Sequence, residues 1–200
     1  RAGFQAVKVK VGTGDDDGAR VRAVRGAVGA GVRVRLDGNG AWGVEEAVAI
    51  LNRLADVDIE LVEQPVPTLD ELATVRRRVS VPVAADESVR SVDDARRLAD
   101  LDAADAVIVK VQCLGGIAAA MEVVEAAGVP GIVSSMYETS VGLAAGLALA
   151  ATLPELPYSC GLAGVLAGDV VTDPLVAVNG LLAVRRPVPD PELLARYEDG

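Results

Sequence analysis

The sequence predicts an α/β protein of the (β/α)8 TIM-barrel class. Short runs rich in valine and isoleucine alternate with longer stretches of helical periodicity, and a charged residue ends five successive strand candidates at a near-constant interval. Such alternation means parallel strands joined by right-handed crossovers. The carboxyl ends of barrel strands meet at one mouth, whereas an open sheet spreads them along an edge, so the regular interval favours the barrel.

The strand candidates are short, apolar and bounded by turn residues. In chain order they cover residues 6–11, 32–37, 59–63, 81–85, 106–111 and 131–134, with a weaker candidate at 157–161. Seven strands are one fewer than a closed barrel needs. We expect the missing first strand to precede Arg1.

Helical spacing of apolar residues fills the intervals between the strand candidates. The groups that show it begin at Val21, Ala47, Leu69, Ala95, Ile117 and Leu143. Ser91 followed by Asp94 predicts a helix start, and Gly128-Val129-Pro130 predicts a helix end. These local signals place helix boundaries where the strand candidates require them.

Composition indicates one globular domain, because 51% of the residues are hydrophobic and 24% are charged. We expect the barrel over residues 1–186, from its second strand onward, and a tail over residues 187–200 that packs outside the barrel or on a further domain.

The chain contains no histidine, which excludes Ser-His-Asp and Cys-His hydrolases.

The charge of the chain bounds its partners. A formal net charge of -10 without a basic block argues against nucleic acid and anionic membranes, while a local cationic pocket for a small anionic carboxylate substrate stays open. Cys113 and Cys160 lack metal-ligand spacing, and no signal peptide or apolar stretch of about 18 residues occurs. These features favour the cytoplasm. The sequence does not indicate an oligomeric state.

The first strand candidate carries two lysines on one face and valines on the other, since strand side chains alternate. We expect Lys8 and Lys10 to face the barrel interior, where burial or a cationic neighbour lowers the pKa of an ammonium group. Such a shift would make Lys10 a general base. The same motif also fits an edge strand with two solvated lysines.

Three carboxylates end the next three strand candidates: Asp37, Glu63 and Asp86. Each by itself fits a strand-end or helix-capping acid. Together, on neighbouring strands and with lysines on both sides, they suit Mg²⁺, which prefers carboxylate oxygens and leaves positions for water and a substrate. Arg33 and Arg35 share a face with Asp37, so a layer of ion pairs is expected lower in the barrel.

Lys110 ends the fifth strand candidate, and the strand count puts it across the mouth from Lys10. It could act as an acid or base on the opposite face of a substrate, or hold a charge that stabilises an enolate; a snorkelling strand-end lysine is the simpler alternative. Gly115, Ser134 and Ser135 follow the next two strands and could bind a second anionic group, or form an ordinary turn and helix cap.

Four short motifs resemble those of the enolase superfamily, in particular its muconate-lactonizing subgroup. They are Lys8-Val9-Lys10, Asp37-Gly38-Asn39, Glu63-Gln64-Pro65 and Asp86-Glu87-Ser88. The resemblance covers nearly all of the chain and implies a modified TIM barrel without its first strand and its N-terminal capping domain. It also implies Mg²⁺ ligands at Asp37, Glu63 and Asp86.

The resemblance further implies roles for the polar residues around those carboxylates. Lys10 is the implied base, Lys110 the opposing lysine, and Lys8 a residue that tunes Lys10. Asn39 belongs to the assisting or substrate-binding set, with Gly115, Ser134 and Ser135. The tail at 187–200 is implied to pack on the barrel or on the capping domain.

Within the subgroup, the chain is similar to the actinobacterial members that work in menaquinone biosynthesis. These are lyases that dehydrate 2-succinyl-6-hydroxy-2,4-cyclohexadiene-1-carboxylate to o-succinylbenzoate through an enolate. Two opposed lysines also suit a racemase of N-acylamino acids or a dipeptide epimerase, which the sequence does not exclude. A barrel fragment without catalytic activity is a third interpretation.

Overall fold

The fold was analysed in a computed structural model that describes residues 2–14, 16–164 and 168–197. Strands and helices alternate along most of the chain. The strands are β1 (Ala6–Lys10), β2 (Arg33–Asp37), β3 (Ile59–Glu63), β4 (Val83–Ala85), β5 (Ala106–Val109) and β6 (Gly131–Val133). The α-helices are α1 (Asp17–Val28), α2 (Val44–Arg53), α3 (Leu69–Arg76), α4 (Val92–Leu101), α5 (Val111–Leu114), α6 (Ile117–Ala127), α7 (Ser140–Thr152) and α8 (Pro191–Leu194), with 3-10 turns at Ala55–Val57 and Ala195–Tyr197.

The strands form one sheet in their order along the chain, β1-β2-β3-β4-β5-β6. Strands β1 to β5 pair in parallel, each with the next. A doubly wound sheet reverses its strand order near the middle, whereas a barrel adds every strand on the same side of the last. The sequential order is therefore that of a (β/α) barrel, as the sequence predicts.

Helix starts follow from local hydrogen bonds. The Thr68 hydroxyl accepts from the backbone N–H of Glu71 while the Glu71 carboxylate accepts from the backbone N–H of Thr68, which is a capping box at α3. Ser91 is the N-cap of α4 and accepts from the backbone N–H of Asp94, as predicted. These caps fix where the chain leaves each strand-end loop.

The chain divides into two compact units. The larger consists of Gln5–Ile108 and Val123–Gly131, and the smaller of Arg1–Phe4, Val109–Glu122 and Ile132–Gly200. In the larger unit, the strands bury Leu36 and Leu61 while helices α2, α3 and α4 bury Leu51, Leu72 and Leu98. Each such leucine contributes about 2 kcal/mol of hydrophobic stabilisation.

The smaller unit has a core of its own, built on α7, which buries Leu143, Leu147 and Leu149. A Cβ atom at Gly146 would lie 2.8 Å from a terminal methyl group of Leu162, which packs closely against α7 here. In the tail, the backbone N–H of Asp190 donates to the carbonyl of Val170 at 2.8 Å. The predicted boundary at 186 stays a prediction.

Two sequence expectations about strands are wrong. The candidate at 157–161 forms no strand, because only Gly161 makes an isolated bridge, with Ser134. The fifth candidate ends at Val109, since α5 begins at Val111 and takes Lys110 as its N-cap. In the described ranges, no helix has the length and apolar character needed to cross a membrane.

Candidate active site

Three predicted site residues lie side by side at the ends of neighbouring strands. Lys10 is in register with Asp37 across β1 and β2, and Asp37 is in register with Glu63 across β2 and β3. In-register neighbours of a parallel sheet project to the same face. The order of the strands thus collects one ammonium and two carboxylate groups, from residues far apart in sequence, at one end of the sheet.

Asp37 receives two ammonium groups. Its Oδ2 lies 2.6 Å from the Nζ of Lys10 and 2.8 Å from the Nζ of Lys8, and the residue is only 1% exposed. Burial alone would raise the pKa of Asp37, but the hydrogen bonds and charges of Lys10 and Lys8 outweigh it and hold that pKa below its usual value. Asp37 is therefore a carboxylate anion at neutral pH.

Glu63 is also buried, and the carboxylates of Asp37 and Asp86 lie close to it. Burial raises its pKa from 4.5 to about 7, the charge of Lys8 opposes this shift, and the carboxylates of Asp37 and Asp86 add to it. Lys8 donates to both oxygens of Glu63, at 3.0 and 3.2 Å. Burial would lower the pKa of Lys8, but Glu63 and Asp37 outweigh burial and raise it.

Asp86 follows β4 and is held by a buried glutamine that sequence reasoning missed. The Gln64 Oε1 accepts from the backbone N–H of Asp86 at 2.8 Å, and from the backbone N–H and hydroxyl of Ser88 at 3.2 and 2.9 Å. Its Nε2 donates to the carbonyl of Val66 at 2.7 Å. Gln64 is fully buried, so it fixes the turn that presents the Asp86 carboxylate. The signal available in the sequence was a glutamine between a strand-end acid and a proline.

Asn39 links Lys10 to a second acid. Its Oδ1 accepts from the Nζ of Lys10 at 2.6 Å, and its Nδ2 donates to the Oε1 of Glu87 at 2.7 Å. Asn39 thus lies in the predicted site, beside the predicted base. Glu87, in contrast, was not predicted as a site residue, although it follows Asp86 directly in the sequence.

The expected burial of Lys10 is wrong. Val9 and Val11 are buried as predicted, but the Lys10 side chain is 59% exposed and that of Lys8 is 38% exposed. Both ammonium groups reach carboxylates that end β2 and β3, because the strands are short and the lysines lie near their ends.

The chemistry of the three acids suits Mg²⁺. Asp37, Glu63 and Asp86 are all buried, with 1%, 3% and 6% exposure, and the pKa of Glu63 is raised partly by the other two charges. A hard divalent cation would relieve this repulsion. In the ranges that the structure describes, however, no three acidic, histidine or cysteine side chains converge as a metal site, and Lys8 faces two of the acids.

The ion-pair layer expected below the site is formed only in part, since the Arg33 side chain is 66% exposed and lies 3.9 Å from Glu60. Arg35 lies under Asp37 on β2, is buried, and forms an ion pair with Glu60 of β3. The register between these strands shifts at Val34 and Arg35, so Glu60 meets Arg35. Such a pair contributes more to the register of the strands than to net stability.

The remaining predicted residues belong to the smaller unit. Lys110 is half-buried at the N-cap of α5, and Gly115 ends that helix with φ +86°, a value that favours glycine. The hydroxyl groups of Ser134 and Ser135 donate to the carbonyl of Gly161 at 3.4 and 3.2 Å. These contacts bridge the two serines to a distant segment, and the binding role of Ser134 and Ser135 stays a prediction.

Comparison with known proteins agrees with this architecture. The family model described as "Enolase C-terminal domain-like" matches residues 1–190. The o-succinylbenzoate synthase of Thermobifida fusca (strain YX) is 54% identical over 203 residues, which cover 98% of this chain and 64% of that protein. The o-succinylbenzoate synthase of Mycobacterium tuberculosis (strain ATCC 25618 / H37Rv) is 47% identical over 198 residues, 96% of this chain and 60% of that protein.

Solved structures show the same fold. A muconate cycloisomerase from Pseudomonas fluorescens superposes with a TM-score of 0.90 at 30% identity and covers 98% of this chain and 58% of its own. A dipeptide epimerase from Enterococcus faecalis V583, complexed with Mg and the dipeptide L-Leu-L-Tyr, superposes with a TM-score of 0.85 at 35% identity. The match covers 94% of this chain and 56% of the epimerase chain. The chain spans less than two thirds of the length of these relatives. It belongs to the enolase C-terminal domain-like family.

Proposed function

We propose that this chain carries the catalytic residues of an o-succinylbenzoate synthase. The proposed reaction is the dehydration of 2-succinyl-6-hydroxy-2,4-cyclohexadiene-1-carboxylate to o-succinylbenzoate, a carbon-oxygen lyase reaction of menaquinone biosynthesis. The observation that carries the proposal is the alignment of Lys10, Asp37 and Glu63 across three strand ends, in a chain 54% identical to a protein of that name. Proton removal next to a carboxylate requires a positioned base, and the acids beside Lys10 could hold a cation that stabilises the resulting anion.

The acids Asp37, Glu63 and Asp86 would hold Mg²⁺. Bound Mg²⁺ would supply positive charge that attracts the substrate carboxylate and lowers the energy of the anion formed next to it. The support from this chain is the set of three buried carboxylates with one raised pKa. A small anionic carboxylate as substrate is part of the same proposal.

Lys10 is the proposed base. Its amine takes the ring proton next to the carboxylate, the electron pair of the broken C–H bond remains on the substrate, and hydroxide leaves from the adjacent ring carbon as the ring becomes aromatic. The hydroxide takes up a proton and is released as water. Lys10 must lose its own proton first, and Asp37 and Asn39 hold its nitrogen in place. The role of Lys110 in the reaction stays a prediction that the resemblance implies.

A second candidate is the epimerisation of a dipeptide or of an N-acylamino acid. The observation that favours it is the 35% identity to the E. faecalis dipeptide epimerase, over 94% of this chain. Proton removal by Lys10 would be common to both reactions, and the loss of hydroxide would separate them. A cytoplasmic location, which the sequence analysis expects, is part of either proposal.

The test is a paired assay. The chain is produced alone and joined to the part of the T. fusca relative that it does not match, and each protein is given Mg²⁺ with the cyclohexadiene substrate or with L-Leu-L-Tyr. We expect o-succinylbenzoate from the joined protein and no dipeptide epimerisation. Epimerisation without dehydration would replace the first proposal by the second. If the joined protein folds but acts on neither substrate, the result would contradict both proposals and favour the third interpretation, a barrel without catalytic activity.

A further inference from the structure

The contacts of Lys10 extend beyond the acids of the site. From the Nζ of Lys10, one hydrogen bond of 2.6 Å leads to the Oδ1 of Asn39, and one of 2.7 Å leads from the Nδ2 of Asn39 to the Oε1 of Glu87. This Lys10-Asn39-Glu87 series joins the ends of β1, β2 and β4. Because the oxygen of an amide accepts and its nitrogen donates, the bond from Lys10 and the bond to Glu87 select the same orientation of the Asn39 side chain.

Asn39 is held in an orientation that leaves its side chain little freedom. Its backbone has φ +44°, in the left-handed region that asparagine tolerates better than most residues. Its N–H donates to the Oδ1 of Asp37 at 3.3 Å, and the N–H of Gly40 donates to the carbonyl of Gln64 at 2.7 Å. The loop that carries Asn39 is thus fixed at both ends, and the side-chain amide is oriented by Glu87.

The two carboxylate oxygens of Glu87 differ in their contacts. Its Oε2 is buried and has no hydrogen-bond partner in the part of the chain that the structure describes. A buried carboxylate oxygen without a partner costs free energy. The hydrogen bond that its Oε1 accepts from Asn39 is therefore the contact in which a role for the Glu87 side chain is sought.

We propose that Glu87 is a positioning residue for Lys10 and acts through Asn39. The inference rests on the proposed function, in which Lys10 is the base. Lys10 has a flexible four-carbon side chain that is 59% exposed, and its ion pair with Asp37 constrains distance more than direction. The Asn39 oxygen adds a second, directional acceptor, so the nitrogen is fixed before substrate arrives.

The test uses the fact that lysine occurs only at positions 8, 10 and 110. Protein labelled with ¹³C-lysine therefore gives three sets of side-chain signals, and the two Hε protons of Lys10 have separate shifts only if the side chain is fixed. We expect separate shifts in the unaltered chain and in Glu87→Gln, which keeps an acceptor for Asn39. Glu87→Ala should merge them. Ser88→Ala is the matched control in the same turn and should keep them separate.

A second set of variants covers the case in which Glu87→Ala does not fold. Asn39→Asp puts two carboxylates against each other and should release Lys10 or shift its signals. Adding Glu87→Gln restores one hydrogen bond, because the introduced amide can donate to the introduced carboxylate, and the separate Hε shifts should return. Failure of this rescue in a folded double variant would overturn the proposal.

Two further results would overturn the proposal. One is a single shift for the two Hε protons of Lys10 in the unaltered chain, and the other is a loss of their separation in Ser88→Ala as large as in Glu87→Ala. None of these readouts needs turnover, so they remain decisive if the proposed reaction is absent. Where the joined protein is active, Glu87→Ala should lower kcat by about 10- to 100-fold with little change in KM, since the residue orients the base and not the substrate.

Discussion

Lys8 donates hydrogen bonds to both carboxylate oxygens of Glu63, at 3.0 and 3.2 Å, across the strand that lies between them. The same ammonium group lies 2.8 Å from Asp37. One cation thus serves two buried acids. The resemblance assigns Lys8 to tuning Lys10, and the contacts add a second task, which is to keep the paired carboxylates charged inside the protein.

Replacement of Lys8 should therefore destabilise the protein in a pH-dependent way. Lys8→Met removes the ammonium group that contacts both Asp37 and Glu63, at a cost of about 1–3 kcal/mol at pH 8. This is below the range for a fully buried pair because Lys8 is partly exposed. At pH 5.5 the loss should be smaller, since Glu63 is then protonated. Urea unfolding measures both values.

The control is Arg96→Met, which removes a cation from an exposed ion pair with Asp93 within α4. It should change the free energy of unfolding by less than about 0.5 kcal/mol at either pH. A Lys8→Met loss that is no larger than this, or that is the same at pH 5.5 and 8, would show that Lys8 does not hold the charge of Glu63.

The raised pKa of Glu63 predicts how stability changes with pH in the absence of divalent ions. Between pH 4.5 and about 7 the unfolded chain has lost this proton while the folded protein keeps it. The free energy of unfolding should therefore fall as pH rises through this window, by about 3 kcal/mol in total, and level off above it. The lowered pKa of Asp37 acts oppositely, and its contribution is lost as pH falls below 3.8.

Glu63→Gln removes the titrating group and should flatten the decline between pH 4.5 and 7. Guanidinium unfolding curves at half-unit pH steps give the slopes of both proteins. If the free energy of unfolding changes with pH equally in the variant and in the unaltered protein, Glu63 has an ordinary pKa in the folded state. A decline that survives in the variant would assign it to another group.

Mg²⁺ binding should depend on all three acids. Asp37→Asn, Glu63→Gln and Asp86→Asn each remove one anionic ligand, and each should weaken Mg²⁺ binding by about tenfold or more, on the order of 1.4 kcal/mol. Calorimetry on the chain and its variants gives the affinities. Glu60→Gln is the control, because Glu60 lies on the same strand and pairs with Arg35. A variant with unchanged affinity would remove its residue from the site.

The sequence predicted the acids because Asp37 and Glu63 end strands and Asp86 directly follows one, and strand ends are recognisable from the apolar run before them. Asp37 and Glu63 close β2 and β3 at the residues predicted. The sequential strand order followed from the regular interval of charges. These features depend on periodicity and connectivity, which are local in the sequence.

The contacts among these residues were not predicted, because they depend on which strands become neighbours and on side-chain reach. Lys8 contacts Glu63, two strands away, and Glu87 reaches Asn39 from β4 to β2. Gln64 is buried although glutamine is usually exposed, since every polar atom of its amide finds a partner. The false strand at 157–161 had strand composition but pairs only at Gly161.

Exposed apolar side chains in the smaller unit predict dye binding by the isolated chain. Val178 and Leu181 flank a tight turn, are 67% and 73% exposed, and have Val176, Val184 and Val188 nearby in sequence with similar exposure. Such a set binds hydrophobic dyes and favours association. The double variant Val178→Thr/Leu181→Thr should lower dye fluorescence and the tendency to aggregate. Equal fluorescence in chain and variant would place the dye elsewhere.

The last prediction separates the two candidate catalytic lysines in the joined protein, and it follows from the charge that each must carry. Proton removal needs a neutral amine, so Lys10→Ala and Lys10→Arg should both lower turnover by about 10²–10⁴-fold while substrate still binds, because a guanidinium group stays protonated. Lys110 is predicted to act as a cation, so Lys110→Arg should keep part of the activity. Formation of o-succinylbenzoate and exchange of the substrate ring proton with deuterated solvent are measured for each variant. Substantial turnover by Lys10→Arg would exclude Lys10 as the base, and loss of turnover only in the Lys110 variants would mean that the two roles are reversed.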